Sequence, residues 1–99
     1  MTINETLNGN TLTLALGGEL DLTGGPELTS CLEGRLASLE GIVIDMHDID
    51  YMSSAGIRAI LAIKKQFGEK EMKIVRCNQG VYDVFEITGL NEVLDIEQD

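Results

Sequence analysis

Hydrophobic residues along the chain follow two spacings, one typical of strands and one typical of helices. Leucine at every second position over 12–16 predicts a strand, and the Asn8-Gly9-Asn10 turn before it predicts a hairpin with a first strand at Ile3–Leu7. The run Ile42–Met46 is apolar and β-branched, which is typical of a strand covered on both faces. Two further short strands are predicted at Met72–Val75 and Val93–Ile96.

Three segments carry apolar residues at spacings of three and four, which predicts helices. The first begins near Pro26 and runs to Leu39, the second begins at the Ser53-Ser54 pair and ends at Gly68, and the third spans 80–88. Proline, serine and glycine are typical of helix starts and ends. The order β-β-α-β-α-β-α-β therefore predicts an α/β fold with a small, mixed, mostly parallel sheet that opens with an antiparallel hairpin.

Length and charge narrow the classes of function. Ninety-nine residues, of which 43% are hydrophobic, suffice for a single domain that spans residues 1–99. The formal net charge of −10 disfavours binding to nucleic acid or to an anionic membrane, and no stretch is apolar enough to insert into a bilayer. The first ten residues lack the basic and apolar regions of a secretory signal, so we expect a cytoplasmic protein with a neutral or basic protein partner.

The sequence lacks the combinations of residues that catalysis and metal binding require. Cys31 and Cys77 have no metal-ligand spacing and are typical of reduced thiols in or near a core. Asp45 and His47 lie near further carboxylates, but the regular ligand spacing of a calcium loop is absent. No G-x-S-x-G motif accompanies His47, the only histidine, and no lysine follows a later strand to support an aspartyl phosphate at Asp45. We therefore expect no enzyme activity, no cofactor and no metal.

The strongest candidate site lies where the central strand leads through acidic residues into the second helix. Reactive groups of parallel sheets gather beyond the carboxyl ends of the strands, and residues 48–54 follow such an end. A serine there can cap the helix or accept a phosphate, and Ser53 and Ser54 are both candidates. Arg58, one turn after Ser54, could pair with a phosphate or with Asp50.

Three ordered segments resemble the STAS domain of the bacterial anti-sigma factor antagonist family. They are GGELDL at 17–22, IVIDMHDIDYMSSAGIRAIL at 42–61 and VFEITGLNEVLDI at 84–96. The resemblance implies three or more helices packed largely on one side of the sheet, and regulation by partner switching. The unmodified antagonist binds an anti-sigma factor that is also a serine kinase, which releases a sigma factor. Phosphorylation of a turn serine ends the binding, and a phosphatase restores it.

The resemblance places the phosphorylated serine two residues before the turn glycine, which is Ser54 before Gly56 in this sequence. Phosphorylated members usually carry aspartate just before that serine, where this chain has Ser53, so Ser53 is the second candidate. We expect partner contacts from an apolar and small-residue rim and from polar and charged neighbours: Asp21, Asp48, Asp50, Met52, Ser53, Ser54, Ala55, Ile57 and Arg58. STAS domains that are never phosphorylated serve as subunits of lipid or anion transport systems, and this is the alternative function.

Overall fold

The computed structural model describes residues 1–99 as a five-stranded sheet with three α-helices. The strands are β1 (Thr2–Asn8), β2 (Thr11–Leu20), β3 (Gly41–Met52), β4 (Glu71–Cys77) and β5 (Asp95–Gln98). The helices are α1 (Gly24–Leu32), α2 (Ser54–Phe67) and α3 (Gln79–Thr88), with short 3₁₀ turns at Leu36–Ser38 and Leu90–Glu92. None of the helices is long and apolar enough to cross a membrane.

The sheet has the strand order β1-β2-β3-β4-β5, with β1 antiparallel to β2 and all other neighbours parallel. Each helix connects two adjacent parallel strands in chain order. Because such crossovers are right-handed, successive connections that progress in one direction place their helices on the same face of the sheet. The predicted fold class, a mixed and mostly parallel sheet with an opening hairpin and helices on one side, is confirmed.

Burial along β3 shows that only one face of the sheet is covered. Ile42, Ile44 and Met46 are fully buried, whereas Val43 and Asp45 between them are partly exposed. The prediction of a strand covered on both faces is therefore wrong. An apolar residue at Val43 suited the pattern of a buried strand, but in the fold it belongs to the open face.

Strand β3 continues to Met52, past the predicted end at Met46. Its pairing with β2 shifts register twice, between Ala15 and Gly17 and between Gly18 and Glu19. Each shift gives β3 one extra residue, so Met46, Ile49 and Met52 all face the core although they lie three residues apart. Asp48 and Asp50 consequently lie within the strand, which corrects the prediction that they follow its end.

Two other predicted boundaries differ from the structure. Helix α1 ends at Leu32, and Gly34, with φ of +75°, separates it from the 3₁₀ turn that contains Leu36. Leu39 is buried despite lying outside a helix, which explains why the apolar spacing suggested one long helix. Strand β5 begins at Asp95 and not at Val93, because the 3₁₀ turn at Leu90–Glu92 continues into a turn at Val93 and a bend at Leu94.

Both cysteines are free, as predicted for reduced thiols in or near the core. Cys77 is fully buried, and Cys31 is partly exposed with its Sγ 3.0 Å from a carboxylate oxygen of Glu5. Burial, reinforced by that carboxylate, raises the pKa of Cys31 to about 11. The thiol is therefore protonated at neutral pH.

An ion pair on the open face joins β3 to β4. Arg76 donates from Nε and Nη2 to the two carboxylate oxygens of Asp45, at 3.1 Å and 2.7 Å. Arg76 also has a left-handed backbone with φ of 58°, which is uncommon for a side chain of its size. These hydrogen bonds from Arg76 hold the pKa of Asp45 below its ordinary value of 3.8.

Substitution Asp45→Asn is expected to lower the free energy of unfolding at pH 7 by about 1 kcal/mol, a small value because Arg76 is half exposed. A depressed carboxyl pKa contributes stability above the unfolded value, and this contribution is lost as pH falls from about 4 through the folded pKa. Urea denaturation at several pH values should therefore show the difference from wild type shrinking in acid. Asp95→Asn, which removes an exposed carboxylate 3.9 Å from Lys73, is the control and should change stability little. A difference for Asp45→Asn that is constant with pH would contradict the assignment.

Candidate functional site

The two serines at the start of α2 have different roles. The backbone N–H of Ser53 donates to the carbonyl of Leu20 at 3.0 Å, which continues the β2–β3 ladder. Ser53 has an extended backbone, and its Oγ accepts a hydrogen bond from the N–H of Ala55 at 3.2 Å. Ser53 is therefore the N-cap of the helix. Ser54 is the first helical residue and is exposed, so its hydroxyl is free of the capping role.

Substitution Ser53→Ala is expected to lower the free energy of unfolding by about 1 kcal/mol, because the Ala55 N–H loses its acceptor. Ser54→Ala should change it by less than about 0.5 kcal/mol, as for other exposed positions. Urea denaturation measures both, and Ser53→Asp, which restores an acceptor oxygen, is the control that should retain stability. An equal loss for Ser53→Ala and Ser54→Ala would contradict the division of roles.

Gly56 allows the first turn of α2 to pack against the end of β2. A Cβ atom at this position would lie 2.4 Å from the carbonyl oxygen of Leu20, 2.9 Å from Leu20 Cγ and 3.0 Å from Met52 Cγ. No side chain fits at such distances. The close contact places Ser54 beside the carboxyl ends of β2 and β3, while the apolar face of α2 lies in the core with the buried residues Ile57, Ile60, Ile63 and Phe67.

The predicted apolar rim is wrong at two positions. Met52 and Ile57 are only 3% and 8% exposed and belong to the core beneath the serines, so they are not available to a partner. Register shifts in β3 turn Met52 inward, and Ile57 begins the buried stripe of α2. The large exposed apolar side chains near the carboxyl ends of β2 and β3 are those of Leu22, which is 78% exposed, and Tyr51, which is 55% exposed. The sequence pattern predicted neither. Their exposure follows from the end of β2 and from the shifts in β3, which no periodicity indicates.

The three predicted carboxylates differ in their surroundings. Oδ1 of Asp21 accepts hydrogen bonds from the N–H groups of Gly24, at 2.9 Å, and Thr23, at 3.0 Å, and these bonds lower the pKa of Asp21. Asp21 therefore orders the entry to α1. Asp48 and Asp50 are exposed along β3 and form no ion pair within the chain, so both can contact a partner.

Arg58 is exposed and does not form the predicted ion pair with Asp50. The two residues border different concavities. Asp50 lies at a small notch beside Gly80 and Val84 of α3, whereas Arg58 lines a groove between α1 and α2. The notch and the groove lie against different helices, which explains the absence of the pair.

The α1–α2 groove is an open concavity of about 690 Å³ next to the serine turn. The two helices approach closely at Gly25, where a Cβ atom would lie 3.2 Å from the Ala55 carbonyl oxygen and 3.4 Å from the Ala59 Cβ. The groove has two charged lining residues, Glu33 and Arg58. Its apolar lining residues are Leu22, Leu32, Leu36, Ala55, Ala59 and Ile63. Of the predicted residues, Ala55 and Arg58 line this groove. Ser53 and Ser54 directly precede Ala55, and the hydrogen bond from Ser53 to Leu20 brings them close to Asp21.

A family model for the STAS domain matches residues 2–99 of this sequence. The chain belongs to the STAS domain family. The resemblance inferred from the three segments is thereby confirmed.

This STAS chain is similar over nearly its whole length to several known bacterial proteins. It is 27% identical over 101 residues to the anti-sigma-B factor antagonist of Staphylococcus aureus, which covers 99% of this chain and 94% of that protein. The crystal structure of an anti-sigma factor antagonist from Mycobacterium paratuberculosis has a TM-score of 0.88 at 18% identity, covering 99% and 86% of the two chains. The Bacillus cell fate determinant SpoIIAA in its phosphorylated form has a TM-score of 0.77 at 15% identity, covering 96% and 90%. At these identities the two structures establish the shared fold.

Proposed function

We propose that this STAS chain is a non-catalytic anti-sigma factor antagonist that acts by partner switching. Unmodified, it binds an anti-sigma factor that is also a serine kinase, and a sigma factor is released. The kinase then phosphorylates Ser54, which ends the binding, and a phosphatase removes the phosphate. The observation that carries the proposal is the exposed hydroxyl of Ser54, held at the first position of α2 while Ser53 provides the cap. The names of the S. aureus and M. paratuberculosis relatives support the same assignment.

The position of Ser54 suits a phosphate acceptor. Its hydroxyl oxygen would attack the γ-phosphorus of ATP, with ADP leaving and the hydroxyl proton passing to a base of the kinase. The product adds about 1.5 to 2 negative charges at pH 7. Because the first turn of a helix favours negative charge, α2 remains folded after modification. Phosphorylation can therefore change the surface without unfolding the site.

A serine at position 53 is compatible with phosphorylation of Ser54, although phosphorylated relatives usually carry aspartate at position 53. Both residue types cap a helix through a side-chain oxygen. Ser53 makes that bond to Ala55, so the replacement retains the turn geometry and changes only its charge. Since the Ser53 hydroxyl is already engaged and Ser54 is more exposed, we assign the phosphate to Ser54.

Loss of binding follows from the groups around Ser54. The proposed contact surface is formed by the exposed Leu22 and Arg58 and the partly buried Ala55, with the exposed Asp48 and Asp50 in β3. A phosphate buried against a partner at this edge would add a dianion near carboxylates. A buried charge without a matching partner costs several kcal/mol, which corresponds to orders of magnitude in affinity.

Affinity capture from the source bacterium tests the proposed function. Tagged wild type, Ser54→Asp and Ser38→Asp are compared by mass spectrometry of the captured proteins, and Ser38 is a matched control because it is exposed in the 3₁₀ turn that precedes β3. We expect a kinase-type anti-sigma factor with wild type and Ser38→Asp and its depletion with Ser54→Asp. Capture of membrane transport subunits in place of the kinase would overturn the proposal in favour of the transport alternative.

A further inference from the structure

Arg58 is one of two basic side chains of this acidic protein that have no partner within the chain, and it is the only such arginine. Five of the seven basic residues have a partner within the chain. Arg35, Lys64, Lys70 and Arg76 donate hydrogen bonds to a carboxylate or a carbonyl, and Lys73 lies 3.9 Å from the carboxylate of Asp95. Only Arg58 and Lys65 are left. With 17 acidic residues in the chain, an arginine without an acidic partner is a cation available for a new one.

Helix geometry places Arg58 next to Ser54. The two residues lie four positions apart in α2, and residues at this spacing have Cβ atoms roughly 5–6 Å apart on one face. Both side chains are exposed, whereas Gly56 and Ile57 between them are buried on the opposite side. Long helical side chains extend back toward the helix N-terminus, which directs the guanidinium of Arg58 toward the Ser54 position.

The neighbouring carboxylates leave Arg58 free. Asp50 lies at the α3 notch, away from the α1–α2 groove. Glu33 lines the same groove as Arg58 but forms no ion pair with it. A phosphate on Ser54 would lie about one helical turn from Arg58. Arginine binds phosphate through two parallel hydrogen bonds.

We propose that Arg58 is the intrachain partner of phosphorylated Ser54 and that the pair lies over the end of the α1–α2 groove formed by Ala55 and Ala59. The inference rests on the proposed function, because it requires a phosphate on Ser54. Its consequence is a second effect of modification. Phosphorylation adds negative charge and at the same time withdraws the one unpaired arginine from the surface that meets the partner.

The test installs phosphoserine at position 54 of the full chain during translation, so that it does not depend on any kinase. A ³¹P NMR titration then gives the second pKa of the phosphate in wild type, Arg58→Gln and Lys65→Gln. We expect that pKa to be about 0.5 pH unit lower in wild type than in Arg58→Gln, the size of an exposed ion pair. Lys65→Gln removes the same charge from a position about 16 Å along α2 from Ser54, and its phosphate pKa should match wild type.

Arg58→Lys separates charge from geometry, and it should recover only part of the shift because lysine cannot bind the phosphate through two parallel hydrogen bonds. Unmodified Arg58→Gln should retain the wild-type melting temperature, since Arg58 is exposed and unpaired. Equal phosphate pKa values in wild type and Arg58→Gln, or equal changes in Arg58→Gln and Lys65→Gln, would overturn the inference. Failure of a kinase to modify Ser54 would count against the proposed function alone.

Discussion

Substitution Ser54→Asp is expected to lower affinity for the kinase-type anti-sigma factor by about 100-fold or more. The aspartate places a permanent negative charge at the start of α2, four residues after the exposed Asp50 in the chain. A contact that buries this charge without a basic partner loses several kcal/mol. Calorimetric titration of the purified kinase into each variant measures the effect.

Two matched variants make this experiment specific. Ser54→Ala removes the hydroxyl without adding charge and should bind like wild type, because the Ser54 hydroxyl is not part of the cap. Ser38→Asp makes the same chemical change in the exposed turn before β3 and should also bind like wild type. Equal affinity of wild type and Ser54→Asp would contradict the electrostatic explanation of switching.

Substitution Gly56→Ala is expected to lower the free energy of unfolding by about 2–3 kcal/mol, which is a large part of the stability of a small domain. The added methyl group would lie 2.4 Å from the Leu20 carbonyl oxygen, a backbone atom that cannot turn aside. Relief requires α2 to move away from the end of β2, which also displaces Ser54. Chemical denaturation gives the free energy, and a kinase assay on the folded fraction reports the displaced hydroxyl.

Gly80→Ala is the control for Gly56→Ala. Gly80 also lies in the first turn of a helix, but the nearest atom to an added Cβ is Asn78 Oδ1 at 3.5 Å, an ordinary contact. Because alanine favours helices over glycine by up to about 1 kcal/mol, Gly80→Ala should be neutral or stabilising. A similar change in stability for the two variants would show that packing at Gly56 does not limit the position of α2.

Much of the fold follows from spacing and from residues with special backbone preferences. The leucines of β2 and the buried stripe of α2 appear in the sequence at periods of two and about 3.6. Gly89 ends α3 in the left-handed conformation that glycine adopts readily, with φ of 77° and ψ of 4°. Such features depend on residues that are close together in the chain, so they can be predicted from the sequence.

Other features depend on contacts between distant residues. The two register shifts of β3 arise from its pairing with β2, so the burial of Met52 and the exposure of Tyr51 could not be deduced from the spacing within β3. Ile57 is different, because its position at the head of the apolar stripe of α2 already indicated a core residue. The burial of Ile57 can therefore be deduced from the sequence alone.

The serine turn combines structural and regulatory requirements in adjacent residues. Ser53 satisfies a backbone N–H at the start of α2, and Gly56 allows the helix to approach β2. Ser54 lies between these two constraints and is itself exposed. Ser54, the residue of the proposed modification, is therefore positioned by its neighbours. Its hydroxyl takes no part in the Ser53 cap or in the Gly56 contact, so we expect both to remain when its charge changes.

Site-specific phosphate mapping tests partner switching most directly. The chain is incubated with ATP and the kinase-type anti-sigma factor proposed as its partner. The free and kinase-bound fractions are then separated by size-exclusion chromatography, and fragment-ion mass spectrometry locates the phosphate in each. Partner switching predicts one phosphate, on Ser54, confined to the fraction that is free of the kinase. A phosphate on Ser53 alone, or a chain phosphorylated on Ser54 that still elutes with the kinase, would contradict it.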